Sequence, residues 1–139
     1  MRCGVSKMVL KVAVLAVLVA GFADYNVGIA RAAEAPGKSP IRVQMVGKKF
    51  VPEHLIIKAG DVVIWVNESD GRTHQVTTDP GQAVDVRNVS SPKGAPTFDS
   101  RDIHAGETYR HQFTVPGIYR YSCPPHELSG MIGTIDVQR

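Results

Sequence analysis

The densest chemistry in the chain lies in Cys123-Pro124-Pro125-His126-Glu127-Leu128-Ser129-Gly130-Met131, a thiol, an imidazole and a thioether within nine residues. Thiolate and imidazole are good ligands for first-row transition metals, and a thioether adds a soft donor that hard-ion sites do not use. Pro124 and Pro125 stiffen the backbone and Gly130 permits a tight return, so the loop can fold its three donors inward around one ion. A fourth ligand must come from elsewhere. His74 is the best placed, because it follows the turn Ser69-Asp70-Gly71 after a strong strand pattern, and packed sheets can bring that strand end beside the later loop. His54 lies near Pro52, His104 precedes a turn and His111 sits inside a strand pattern.

Two imidazoles and a thiolate in a trigonal set, with a weak axial methionine, define blue-copper electron-transfer sites, whereas zinc sites rarely recruit methionine. The expectation is one type 1 copper ion per chain, held by His74, Cys123, His126 and Met131. Each donor also has a plainer reading. A lone buried cysteine is usually a small hydrophobe, and Met131, opening an apolar run with Ile132 and Ile135, would serve as core filler. His74 alone could be a turn histidine. It is the spacing of the loop that turns these residues toward metal ligation.

The elements that position the loop follow from the rest of the chain. Residues 1–11 carry Arg2, Lys7 and Lys11 without an acid, and residues 12–23 are an unbroken apolar and glycine run closed by Asp24. That is the layout of a secretory signal, and it falls short of the roughly 20 apolar residues a spanning helix needs. Two small-x-small cleavage sites stand, Gly21-Phe22-Ala23 and Ala30-Arg31-Ala32; the second assigns 1–32 to a cleaved signal. Cleavage there turns 16 basic and 13 acidic residues into 12 of each, so the net charge of +3 belongs to the precursor. A neutral mature chain offers no basic surface for nucleic acid. It also keeps Cys123 as its only cysteine, which cannot form an internal disulfide and is a liability in an oxidising compartment unless something occupies it. A bound metal would do so.

Residues 33–40 read as a flexible lead-in and 41–139 as one domain, large enough for a single hydrophobic core. Short alternating or apolar runs at 41–46, 55–58, 62–66, 74–78, 108–115, 118–122 and 131–137 suit β-strands, separated by glycine and proline turn signals. No segment of this domain sustains a helical period, and residues 79–96 read as an irregular excursion with room for a short helix or edge strand. His111 shares a strand face with Tyr109 and Phe113 and is expected to be half-buried with a structural role; Trp65 is expected in the core. Seven or eight strands imply an all-β sandwich or barrel.

These features resemble the plastocyanin, pseudoazurin and amicyanin group of cupredoxins, from about Ile41 to Val137. Cys123, His126 and Met131 match the family's C-x2-H-x4-M loop, with a proline before the histidine. Phe50-Val51-Pro52, Lys58-Ala59-Gly60-Asp61, Trp65-Val66-Asn67, Gly106-Glu107-Thr108-Tyr109 and the 116–121 run PGIYRY follow in the family's order. The resemblance implies a Greek-key β-sandwich and a monomeric, periplasmic or otherwise exported single-electron carrier. It also implies redox partners, a donor and an acceptor, docking on an apolar patch near His126, here supplied by Pro124, Pro125 and Leu128. Gln75 departs from the asparagine common after the first ligand histidine, which puts the tie between the two ligand loops in question. Two other classes stay open: a copper-holding or delivery protein using the same ligands, and a copper enzyme, which would need a second copper site. A metal-free interaction module would leave the donor loop to chance.

Overall fold

The computed structural model describes residues 39–69 and 71–139, all within a single compact unit. The expected signal, its two candidate cleavage sites and most of the expected lead-in lie outside the described residues. Seven strands form: β1 (Ile41–Val46), β2 (Lys49–Val51), β3 (His54–Lys58), β4 (Val62–Asn67), β5 (Thr108–Gln112), β6 (Gly117–Ser122) and β7 (Ile132–Gln138). They make two sheets, ordered β2-β1-β4-β5 and β3-β7-β6. β1 lies parallel to β4 and β3 parallel to β7, while the remaining pairs are antiparallel. This is an all-β sandwich, as the resemblance implies.

Strand formation follows from side-chain alternation on a pleated surface. In β4 the sequence VVIWVN buries Val63, Trp65 and Asn67 and turns Val62, Ile64 and Val66 toward the outside. Val43 and Met45 of β1 share that inward face, opposite Tyr119, Tyr121, Ile135 and Val137 from the second sheet. Trp65 is fully buried, with Phe98, Tyr109, Phe113 and Tyr121 ring centroids 5.4–6.2 Å away. Gly133 makes room for this packing, since a Cβ there would overlap the Tyr121 ring. His111 is half-buried, its ring centroid 4.3 Å from that of Phe98 and 4.8 Å from that of Phe113, and burial lowers its pKa.

Three elements differ from the sequence reading. Residues 74–78 do not form a strand; they meet their neighbours through isolated bridges, His74 with Ile103 and Thr77 with Asp99 and Ser122. The edge strand of the first sheet, β2, carries no run long enough to register in the sequence: it is three residues, held by Phe50, which is buried against Tyr121. β5 ends at Gln112 because the Phe113 N–H turns to the Asp61 carbonyl at 3.0 Å. The 79–96 excursion does contain a short turn of 3-10 helix, Val86–Asn88, and one edge bridge, Ser90 with Arg120.

Candidate metal centre

The loop after β6 begins at Cys123 and winds into a 3-10 helix, Pro124–Ser129, with proline at its start. Proline needs no N–H partner in a first turn, and its fixed φ starts the winding. Gly130 ends it in the left-handed region at φ 81°, a conformation that favours glycine. Cys123 and Met131 are then brought together, the Cys123 N–H donating to the Met131 carbonyl at 3.0 Å, and both side chains are fully buried.

His74 reaches this loop from 49 residues away because its segment is laced to two neighbours. His74 and Ile103 exchange backbone hydrogen bonds of 3.0 and 2.8 Å, and Thr77 and Ser122 exchange bonds of 3.1 and 3.0 Å. The second pair lies one residue from Cys123. As a result the Nδ1 atoms of His74 and His126 lie 3.7 and 3.4 Å from Cys123 Sγ. Among the described residues these three form the one group of His, Cys, Asp and Glu side chains arranged to hold a metal, with all ligand atoms within 4.8 Å of one another. Two ligands about 2.1 and 2.3 Å from a common ion at tetrahedral to trigonal angles would be about 3.6–3.8 Å apart, so the spacing fits a small transition-metal ion. One thiolate, two imidazoles and a neighbouring buried thioether are the donor chemistry of copper.

The tautomer of His74 is set by a polar chain behind it. Its Nε2 lies 3.0 Å from Ser69 Oγ, and the Ser69 hydroxyl faces two acceptors, Asn67 Oδ1 at 2.5 Å and the Arg72 carbonyl at 3.3 Å. The hydroxyl proton therefore goes to one of those, Ser69 accepts from the His74 Nε2–H, and Nδ1 keeps its lone pair toward Cys123. Asn67 in turn donates to the Arg72 and Ile103 carbonyls at 2.7 and 2.8 Å. Burial, then His126 and Arg72, lowers the His74 pKa to about 4. Burial, then Lys48 and Arg72, lowers that of His126 as well. Both rings are thus neutral near pH 7, the form that ligates. Burial raises the Cys123 pKa, although the Gln75 N–H, 3.3 Å from Sγ, opposes the shift; coordination to a metal would remove the proton outright.

Gln75 answers the question raised by its departure from asparagine. Its backbone N–H makes the link to Cys123, and its side chain turns away to Asp102 Oδ1 at 2.6 Å. The tie is rearranged rather than lost. The structure thus brings His74, Cys123 and His126 into one cluster with Met131 buried beside it, and leaves His54, His104 and His111 outside. Sequence reasoning missed Ser69, Asn67 and Glu127. Asn67 carried a signal, since it stands in phase with Val63 and Trp65 on the inward face of β4, where an unpartnered amide would be costly.

A two-sheet sandwich with this Cys-His-Met loop facing a histidine beside the other sheet is a cupredoxin. The family described as "Copper binding proteins, plastocyanin/azurin family" matches residues 41–138, and the chain belongs to it. Plastocyanin of Scenedesmus fuscus is 38% identical over 91 residues, covering 64% of this chain and 86% of that protein. Chloroplastic plastocyanin of Chlamydomonas reinhardtii is 33% identical over 123 residues, 86% of this chain and 79% of the relative. Among solved structures, a reduced Cu(I) form of an amicyanin mutant matches with a TM-score of 0.57 at 25% identity, covering 73% of this chain and 85% of that one. The copper-containing nitrite reductase of Thermus scotoductus matches with a TM-score of 0.61 at 32% identity, covering 80% of this chain and 25% of that one.

Proposed function

We propose that this protein is a single-electron carrier whose one type 1 copper ion is held by His74, Cys123, His126 and Met131. The observation that carries the reading is the convergence of two neutral imidazole Nδ1 atoms on the buried thiol of Cys123, with His126 at the surface end of the cluster. Bound there, copper supplies a one-electron couple between Cu(II) and Cu(I). The chain's part is to hold the donors still: the Ser69 and Asn67 chain orients His74, the Gln75 N–H meets the sulfur, and the sandwich keeps Cys123 and Met131 out of water. A site that does not rearrange costs little to reduce or reoxidise.

His126 is half-buried, beside exposed Pro125 and the 91% exposed Leu128, so redox partners are read as docking over this apolar rim. Small, transient contacts suit such encounters. The carrier reading is supported by the two plastocyanins, which the match covers to 86% and 79% of their own length. No helix among the described residues is long and apolar enough to cross a membrane. The basic and then apolar pattern of residues 1–23 supports export, to the periplasm or an equivalent space.

The test is the visible spectrum of the chain from Ala33 titrated with Cu(II), beside Cys123→Ser. An intense thiolate-to-copper band saturating at one ion per chain, absent in the variant, is expected; its absence from the folded parent overturns the reading. Fast Cu(I)/Cu(II) self-exchange separates a carrier from a delivery protein, which would release copper readily instead.

A further inference from the structure

Glu127 follows His126 on a surface turn, between a half-buried histidine and Leu128 that is 91% exposed, yet it is itself only 4% exposed. A glutamate in such a turn would ordinarily point into water. Instead, both carboxylate oxygens are occupied. Oε1 accepts from the Asp85 N–H at 2.8 Å and from Asn88 Nδ2 at 2.9 Å; Oε2 accepts from the Val84 N–H at 3.0 Å and from Ser122 Oγ at 2.9 Å. Each oxygen therefore receives one backbone N–H, a donor that cannot turn round, and this is the pattern of an ionised carboxylate. None of the four partners is a cation. A buried charge satisfied by neutral donors alone is expensive to keep, and its field is little screened.

Two features of connectivity aim that field at the metal centre. The bond from Ser122 to Glu127 closes a ring of chain that contains both Cys123 and His126. The contacts with residues 84, 85 and 88 then fasten this ring to the excursion that links β4 to β5, so the charge cannot swing away. A metal ion held by Cys123 and His126 would sit on the same short ring of chain as this charge.

We propose that Glu127 is a charge-positioning residue of the metal centre, whose buried carboxylate favours the more highly charged metal ion and so lowers the reduction potential of the copper site. The inference rests on the reading of the site as a copper electron-transfer centre. Because the effect depends on ion charge rather than on redox chemistry, it extends to metals that hold one oxidation state: Zn(II) should gain from Glu127 relative to Ag(I).

The experiment compares the parent with Glu127→Gln, which removes the charge, and with the double variant Ser122→Ala/Asn88→Ala, which keeps the charge and removes two neutral donors. In Glu127→Gln with its intense copper band retained, the Cu(I)/Cu(II) equilibrium should move toward Cu(I) by about tenfold, about 59 mV for a one-electron couple. In the double variant it should move the other way, toward Cu(II), because the same charge is less spread by its donors. A loop that merely loosened would move both variants in one direction. An unmoved or lowered potential in Glu127→Gln overturns the proposal; should that variant not fold, an unmoved or raised potential in the double variant overturns it. Titration of the metal-free proteins with Zn(II) and Ag(I) gives a second readout, with the Zn(II)-to-Ag(I) affinity ratio expected to fall about tenfold on charge removal and to hold or rise in the double variant. A parent without the copper band would sink the electron-carrier reading, while an unchanged metal ratio in Glu127→Gln would sink the role of Glu127.

Discussion

His74 and His126 present the same atom, Nδ1, to the same sulfur, but the chain secures them by different means. His74 is fully buried, paired backbone to backbone with Ile103 and braced at its far nitrogen by Ser69 and Asn67. His126 sits half-exposed on a short 3-10 turn tied to the body of the protein by side chains on either side of Leu128, Glu127 held by the Val84 and Asp85 N–H groups and Ser129 accepting from Lys48 Nζ at 3.4 Å. The inner histidine is part of the core; the outer one belongs to the surface. A centre that must exchange electrons while keeping its donors fixed needs both kinds of attachment, one for rigidity and one for access.

The contrast is broken most severely by truncating the two rings in turn. His74→Ala should remove the copper band and cost about 3 kcal/mol of stability, because it opens a cavity and leaves the Ser69 hydroxyl without its donor. His126→Ala should also remove the band but cost less than about 1 kcal/mol, and added imidazole should restore color there and not in His74→Ala. Chemical denaturation with parallel absorption spectra measures both, and equal stabilities for the two variants would refute the distinction. Next, Asn67→Ala should destabilise by about 2 kcal/mol, since it strips a buried amide that bonds the Arg72 and Ile103 carbonyls and Ser69.

Acid gives a gentler comparison. The His74 pKa is lowered from 6.5 to about 4 in the folded, metal-free protein, so between those values the unfolded chain binds the extra proton. Stability therefore rises with pH across that window and is lost as pH falls from about 6.5 toward 4, by about 1–2 kcal/mol. Melting of the metal-free protein at pH 7 and pH 5 should show the drop, and His74→Gln should reduce it; a loss undiminished in that variant would place its origin elsewhere. The smallest effect belongs to the rim. Lys48 and Arg72 both bear on His126, so Lys48→Glu should slow reduction by a small anionic reagent a few-fold at low salt, with the difference fading as salt screens it. Rates independent of salt would show that these cations do not steer approach.

The two histidines also differ in how far the sequence discloses them. Cys123, His126 and Met131 announce themselves because their spacing is local: one loop, two prolines and a glycine contain the whole arrangement. His74 was reached by position along the chain and by elimination, and its surroundings were misjudged, because residues 74–78 form separate bridges to Ile103, Asp99 and Ser122 in place of a continuous strand. Those partners are distant in sequence, and no periodicity marks them. β2 escaped notice for the same reason, since three residues are too few to alternate and Phe50 gains its place from Tyr121 in the other sheet. Glu127 carries no local signal, because the Val84, Asp85 and Asn88 groups that hold it lie 39 to 43 residues away in sequence.

Trp65 is the only tryptophan in the chain, and its indole is enclosed by Phe98, Tyr109, Phe113 and Tyr121 with no exposed surface. Its ultraviolet emission should accordingly lie at short wavelength in the native protein and move to longer wavelength when water enters. The same strand ends at Asn67, which braces the inner histidine. With copper bound as proposed, the molecule would carry two independent optical reporters, fluorescence for the packing between its sheets and visible color for the donors at its tip, and following both in one denaturation would reveal whether they fail together.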